Sequence, residues 1–268
     1  MSSVYNYDTL ETDLTNFHRL YPKVPVFSVG ESHQGRKIYA LKLGSGGKRF
    51  FFNGAHHGME WLTSKLLVQF SFDMASGLYG ASDLLGNCSL YIVPMVNPDG
   101  VEIASAGEAW QANARGVDLN HNYDANWHLS KKSEQELGIT GPGPTRFSGD
   151  FPESEPETRA IANFTRENSF DLVIAFHSQG EVIYWDFCGF APDKSFAIGK
   201  RFETVSPYRL DIPSGMASYG GYKDWFVKTF KKPGFTIEIG LGENPLPMEQ
   251  FSDIYKRTLP LMLEALKI

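Results

Sequence analysis

The segment Gly54-Ala-His-His-Gly-Met-Glu60-Trp61 carries an imidazole and a carboxylate three residues apart, His57 and Glu60. At the mouth of a helix, residues at that spacing share a face and can converge on one cation. A catalytic zinc ordinarily takes three protein ligands, two His and one Glu being a standard set, and leaves the fourth position to water. A second imidazole is therefore needed, and Ile174-Ala-Phe-His177-Ser178 supplies one at the end of an apolar run. His56 adjoins His57, cannot easily reach the same ion, and has Met59 where a carboxylate partner would stand, so it reads as a supporting or packing residue. A further carboxylate, Glu238, interrupts the apolar run Phe235-Thr-Ile-Glu-Ile239. A lone buried charge is costly and calls for a purpose. His-x-x-Glu alone is a weak signal, since a surface ion pair gives the same spacing. Its weight comes from its placement.

Short apolar runs that read as strands are Arg49 to Asn53, Leu90 to Val96, Leu172 to Phe176 and Phe235 to Ile239, after two more at Val24 to Val29 and Lys37 to Leu43. Helical spacing marks Thr9 to Tyr21, a stretch from Met59 through Phe70, Glu155 to Asn168, Lys194 to Val205, Gly221 to Phe230 and Glu249 to Leu266. Asn97-Pro98-Asp99-Gly100 reads as a turn. Buried strands alternating with helices predict an α/β single domain: a mostly parallel, mixed, twisted sheet flanked by helices on both faces. Sites in such sheets form at the carboxyl ends of strands. His57 and His177 fall there, and Glu238 lies in the last strand.

With 42% hydrophobic and 21% charged residues the chain can bury a sizeable core. Its net charge of −6, with no basic run longer than a pair, speaks against a nucleic-acid partner. No segment approaches the roughly 18 continuous apolar residues of a membrane span, and the first residues lack a signal-peptide pattern. Cys88 and Cys188 are too few for a disulfide-stapled scaffold. A cytoplasmic protein is expected. No pattern specifies an oligomer.

The order strand, His-x-x-Glu-Trp, Asn-Pro-Asp-Gly, Gly-Val-Asp-Leu-Asn, strand ending in His, then Glu-x-Gly resembles the zinc carboxypeptidases, relatives of carboxypeptidase A. The matching residues are His57, Glu60 and Trp61; Asn97 to Gly100; Gly116 to Asn120; His177 and Ser178; and Glu238 with Gly240. The likeness runs from about Tyr7 to the C-terminus. It implies that residues 1–268 form one zinc peptidase catalytic domain. One Zn²⁺ per chain would be held by His57, Glu60 and His177, with Glu238 as general base and then general acid. Such a zinc lowers the pKa of its water and polarises the substrate carbonyl, while a carboxylate beside it takes the water proton and passes it to the leaving nitrogen.

The chain leaves the pattern at the substrate-binding positions. The Arg that clamps a C-terminal carboxylate follows the Asn in Gly-Val-Asp-x-Asn-Arg-Asn; after Asn120 this chain has His121. An imidazole lacks the bidentate fork. The oxyanion-stabilising Arg falls at about Gln111, with Arg115 a rival donor. The mobile Tyr falls near Met216, with Tyr219 or Tyr222 as substitutes, and the specificity position before Asp224 is Lys223, a cation suited to an acidic group.

Asn113 to Asn120, Ala125-Asn-Trp127, His177 to Trp185 and Tyr219 to Trp225 are similar to bacterial γ-D-glutamyl-diamino acid peptidases. That likeness implies hydrolysis of the γ-D-glutamyl–meso-diaminopimelate amide in muropeptide-like peptides, with Lys223 or His121 meeting a diaminopimelate carboxylate. The alternatives are a carboxypeptidase or small N-acyl amino acid amide hydrolase of the same fold, and a non-catalytic peptide-binding module. A structural zinc protein would need a fourth protein ligand.

Overall fold

A computed structural model describes residues 4–213 and 219–268. Asn6 caps the first helix, its Oδ1 accepting the Thr9 N–H, and α1 (Tyr7–Leu20) turns Leu10, Leu14 and Phe17 inward. β1 (Val26–Glu31) and β2 (Lys37–Leu43) follow as an antiparallel pair. β3 (Lys48–Gly54), α2 (Trp61–Ala75), α3 (Ala81–Asn87) and β4 (Cys88–Val93) complete a parallel crossover unit. α4 (Pro98–Ser105), α5 (Trp127–Glu136) and α6 (Pro156–Asn168) lead to β5 (Leu172–Ser178). The rest is β6 (Val182–Tyr184), α7 (Lys194–Val205), β7 (Arg209–Asp211), α8 (Tyr222–Phe230), β8 (Gly234–Ile239) and α9 (Phe251–Ala265).

One eight-stranded sheet runs β1-β2-β4-β3-β5-β8-β6-β7. Its middle, β4-β3-β5-β8, is parallel, while β2 and β6 join it antiparallel. The expected mixed, mostly parallel sheet with helices on both faces is present. The two-residue alternation of strands sorts the core. Phe50, Phe52, Ile174, Phe176, Phe235 and Ile237 pack with the apolar faces of α1, α2, α7 and α9. Phe51, Val173 and Ala175 pack with α6 and α8 on the opposite face. His177 continues the Val173–Ala175 register at the C-terminal end of β5, and Glu238 is its partner on β8. From β3 the chain moves to β4 on one side and then returns to β5 on the other. The crevice therefore opens where β3 and β5 end, the expected place for a site in an open sheet.

Two local expectations change. Asn97 to Gly100 is not a free turn but the start of α4: Asn97 Oδ1 accepts the Gly100 N–H and Pro98 occupies the first helical turn, where its missing N–H costs nothing. The chain between Trp127 and Glu136 is helical although only Ser130 and Glu134 of it are buried, so no apolar stripe marks it. Among the described residues, no helix is long and apolar enough to cross a membrane.

Candidate active site

His57 and Glu60 lie on the loop between β3 and α2. Their three-residue spacing is closed by a tight turn, the Glu60 N–H donating to the His57 carbonyl, and not by a shared helix face as the spacing predicted. Glu60 is the N-cap of α2, yet its carboxylate makes no capping bond and points to the imidazoles. Thr63 anchors the loop: its hydroxyl donates to the Glu60 carbonyl at 2.7 Å and accepts the Ala55 N–H at 2.8 Å. Asn97 anchors it from the other side, donating through Nδ2 to the carbonyls of His56, Gln111 and Ala112 at 3.0, 3.2 and 3.0 Å. The backbones come so close here that a Cβ on Gly58 would sit 2.3 Å from the Gly100 carbonyl oxygen.

The Glu60 carboxylate bridges two rings. His57 Nδ1 lies 2.9 Å from Oε1 and His177 Nδ1 2.9 Å from Oε2. One ligand atom from each of the three residues falls within 4.8 Å of the others, and among the described residues this set has no fourth member. Two imidazole nitrogens and a carboxylate oxygen, with no fourth protein donor, fit a catalytic zinc and not a closed structural one. The second nitrogen of His57, Nε2, lies 3.1 Å from Asp118 Oδ1. A carboxylate in that place fixes tautomer and ring orientation. Asn244 Nδ2 donates to the Ser178 carbonyl at 2.6 Å and reaches Glu60 Oε1 at 3.4 Å.

Charge follows geometry. Burial works against ionised Glu60 and Asp118, but the neighbouring imidazoles win. Glu60 is lowered to about 2 and Asp118 is held below the usual carboxylate range. Burial likewise opposes a charged His57, yet Glu60 and Asp118 raise it well above its ordinary value. Burial, with His177 and His57 nearby, pushes His56 well below. His56 is fully buried between the rings of His177 and Tyr222, with Nε2 3.1 Å from the Tyr123 hydroxyl, the packing role expected of it. Glu238 stands beside His177 on the cleft floor. Burial raises its carboxyl to about 7, with Glu60 adding and the two imidazoles opposing.

A cleft of about 340 Å³ opens over these groups. His57, His177, Glu238, Gln111, Asn120, His121 and Lys223 all line it. Gln111 Oε1 accepts from the Thr145 hydroxyl, which leaves its Nε2 donors without a partner among the described residues. Asn120 Oδ1 accepts the Tyr222 N–H and so fixes the start of α8. His121 Nδ1 lies 2.8 Å from the Tyr219 carbonyl. Lys223 is buried, paired with Asp224 and donating to the Asp186 carbonyl at 2.7 Å.

Three expected contributors do not line the cleft, Tyr219 among them, which packs against the core beside α8. Arg115 points away, toward Glu155 at 3.7 Å. Tyr222 is fully buried, its hydroxyl 3.0 Å from Thr165 Oγ1, because the first turn of α8 packs on the sheet. Met216 lies outside the described residues. Sequence reasoning passed over Asp118, although it lies in the Gly116 to Asn120 motif, and also Thr145, Arg146, Arg209 and Asp211, which no motif marks.

Comparison with known proteins places this geometry. The chain is 34% identical to γ-D-glutamyl-L-diamino acid endopeptidase 1 of Lysinibacillus sphaericus, over 98% of this chain and 72% of that protein. Its fold is similar to carboxypeptidase A from Helicoverpa armigera, with a TM-score of 0.82 at 21% identity over 98% of this chain and 73% of that one. It is also similar to the murein-tripeptide amidase MpaA from Escherichia coli O157, with a TM-score of 0.61 at 21% identity over 91% and 92% of the two chains. The zinc carboxypeptidase family model matches residues 10–260, and this chain belongs to that family of zinc-dependent peptidases.

Proposed function

We propose that this chain hydrolyses the amide between γ-D-glutamate and meso-diaminopimelate in soluble bacterial cell-wall peptides, with residues 1–268 acting as one catalytic domain. In this reading His57, Glu60 and His177 hold one Zn²⁺. Zinc held there polarises the scissile carbonyl and makes water acidic enough to attack near neutral pH. Glu238 takes the proton of the attacking water on its carboxylate and returns it to the leaving nitrogen. Gln111, which lines the cleft and whose Oε1 is held by the Thr145 hydroxyl, donates through its amide to the oxygen that gains charge. Asp118 keeps the His57 ring oriented, and Asn120 fixes the start of α8, where Lys223 meets the cleft.

The observation that carries this reading is the clamp position. His121 stands where a carboxypeptidase needs a guanidinium, and its Nδ1 is committed to the Tyr219 carbonyl, so a substrate's terminal carboxylate finds no bidentate fork there. The Lysinibacillus relative, whose name gives a γ-D-glutamyl-diamino acid bond, supports the same substrate class. A cytoplasmic site of action is part of the proposal, supported by two cysteines that form no disulfide.

The test is mass spectrometry of products from L-Ala-γ-D-Glu-meso-diaminopimelate, ordinary peptides with free C-termini and N-acyl amino acids, each with and without a chelator. Chelator-sensitive release of diaminopimelate, with the other two classes turned over far more slowly, is expected. Preferential trimming of ordinary C-termini or of N-acyl amino acids would overturn the assignment, as would saturable binding without cleavage.

A further inference from the structure

We propose that Arg146 is the specificity-determining cation of the cleft, its guanidinium receiving a substrate carboxylate that flanks the scissile amide. The proposal rests on the peptidase reading above and names the group that reads the acidic character of the substrate.

The cations of the cleft are not equivalent. Lys223 is buried against Asp224 and the Asp186 carbonyl. Arg209 has Asp211 at 3.5 Å. His121 gives one ring nitrogen to the Tyr219 carbonyl. Arg146 is exposed at the cleft, and its guanidinium has no ion pair or hydrogen bond among the described residues. The same cleft carries Asp118, Asp211, Asp224 and Glu238. Without an uncommitted cation it would repel the carboxylates such a peptide brings with it.

Position supports the same role. Arg146 and His121 together line both the main cleft and a small adjoining recess, so this cation reaches the cleft on a segment separate from position 121. The Arg146 backbone is held to Asp118: its own N–H donates to Asp118 Oδ2 at 3.1 Å, and the next carbonyl, of Phe147, accepts the Asp118 N–H at 2.7 Å. Asp118 is the carboxylate beside His57. The residue before Arg146, Thr145, holds Gln111. The guanidinium is thus carried on backbone tied to both the metal loop and the oxyanion donor. Arg146 also has φ of 64°, a left-handed conformation that glycine would adopt more cheaply.

Two carboxylates could be the one bound, the α-carboxylate of the γ-D-glutamyl residue or one on diaminopimelate. The experiment compares wild type, Arg146→Ala and Arg146→Lys on three zinc-dependent substrates: L-Ala-γ-D-Glu-meso-diaminopimelate, its D-glutamyl α-carboxamide and its diaminopimelate monoamide. Arg146→Ala is expected to raise KM for the fully acidic peptide about 10- to 100-fold, the scale of a charge-assisted hydrogen-bonded pair, with kcat changed far less. Lysine should recover part of it, as a charge without the fork. For the substrate amidated at the bound carboxylate, wild type and Arg146→Ala should have the same kcat/KM, which also identifies the carboxylate. Equal losses on all three substrates, or no loss on any, would overturn the proposal. If wild type cleaves none of them, the substrate reading fails. The Arg146 assignment is then decided on the peptides that are cleaved, by comparing free acids with their amides in the same variants.

Discussion

His57 Nε2 lies 3.1 Å from Asp118 Oδ1, while the other oxygen of the same carboxylate accepts the Arg146 N–H at 3.1 Å. One buried side chain therefore orients the imidazole of a proposed metal ligand and pins a wall of the cleft. Carboxylates behind ligand histidines typically change metal affinity about 10- to 100-fold when removed. Asp118→Ala is expected to weaken zinc binding on that scale in competition with a chromogenic chelator, with an unchanged far-UV circular dichroism spectrum. Wild-type affinity in the variant would show that His57 is oriented by other means.

Asn97 is predicted to hold the site together from outside it. Its Nδ2 serves three carbonyls, those of His56, Gln111 and Ala112, and its Oδ1 caps α4. Asn97→Asp keeps the cap but turns a carboxylate toward those three oxygens. Leaving buried polar groups unpaired, here with an added charge, is expected to cost on the order of 3 kcal/mol, read as a lower urea midpoint. Zinc affinity should fall with it, since the His56 carbonyl adjoins His57. A variant with both unchanged would mean that the carbonyls find other donors.

The convergence of His57, Glu60 and His177 was legible because they sit at predictable points of an α/β pattern: just past β3 and at the end of β5. Glu238 was legible as a charge that an apolar strand would not otherwise tolerate. The reason for the His57–Glu60 spacing was not, since a tight turn and a helix face both bring residues three apart together. The clamp formed by Asn97 was hidden because Asn-Pro-Asp-Gly is equally good as a turn and as a helix start, and only the distant carbonyls decide. Tyr222 and Lys223 are neighbours in sequence, yet the first is buried against the sheet and only the second reaches the cleft. Arg146 gave no signal at all. Its place depends on a loop whose course is set by Asp118 and Gln111, not by any local pattern.

Asp171 contributes to acid sensitivity away from the site. Burial alone would raise the Asp171 carboxyl, but the Arg49 N–H at 3.0 Å and Lys232 Nζ at 3.1 Å outweigh it and hold the group below its ordinary value. A carboxyl depressed in the folded state stabilises the fold above its unfolded pKa of about 4 and loses that contribution as pH falls through the folded value. Because the pair is partly solvent-exposed, it is worth at most about 1 kcal/mol. Asp171→Asn should therefore be slightly less stable than wild type at pH 7, with the difference closing as pH falls below about 4. A difference in urea stability that does not change with pH would show that the charge on Asp171 contributes nothing.

Glu238→Gln separates the proposed proton carrier from the proposed metal ligands. The amide keeps the size of the side chain on β8 beside His177 and removes its capacity to accept a proton, while His57, Glu60 and His177 stay intact. General acid–base catalysis is typically worth about 10²- to 10⁴-fold, so kcat is expected to fall within that range with KM little changed. Zinc stoichiometry should remain at one per chain. Loss of zinc together with activity would make Glu238 part of the metal site. Full activity with zinc bound would move the proton-carrying role to another residue, and with it the chemical reading of the cleft.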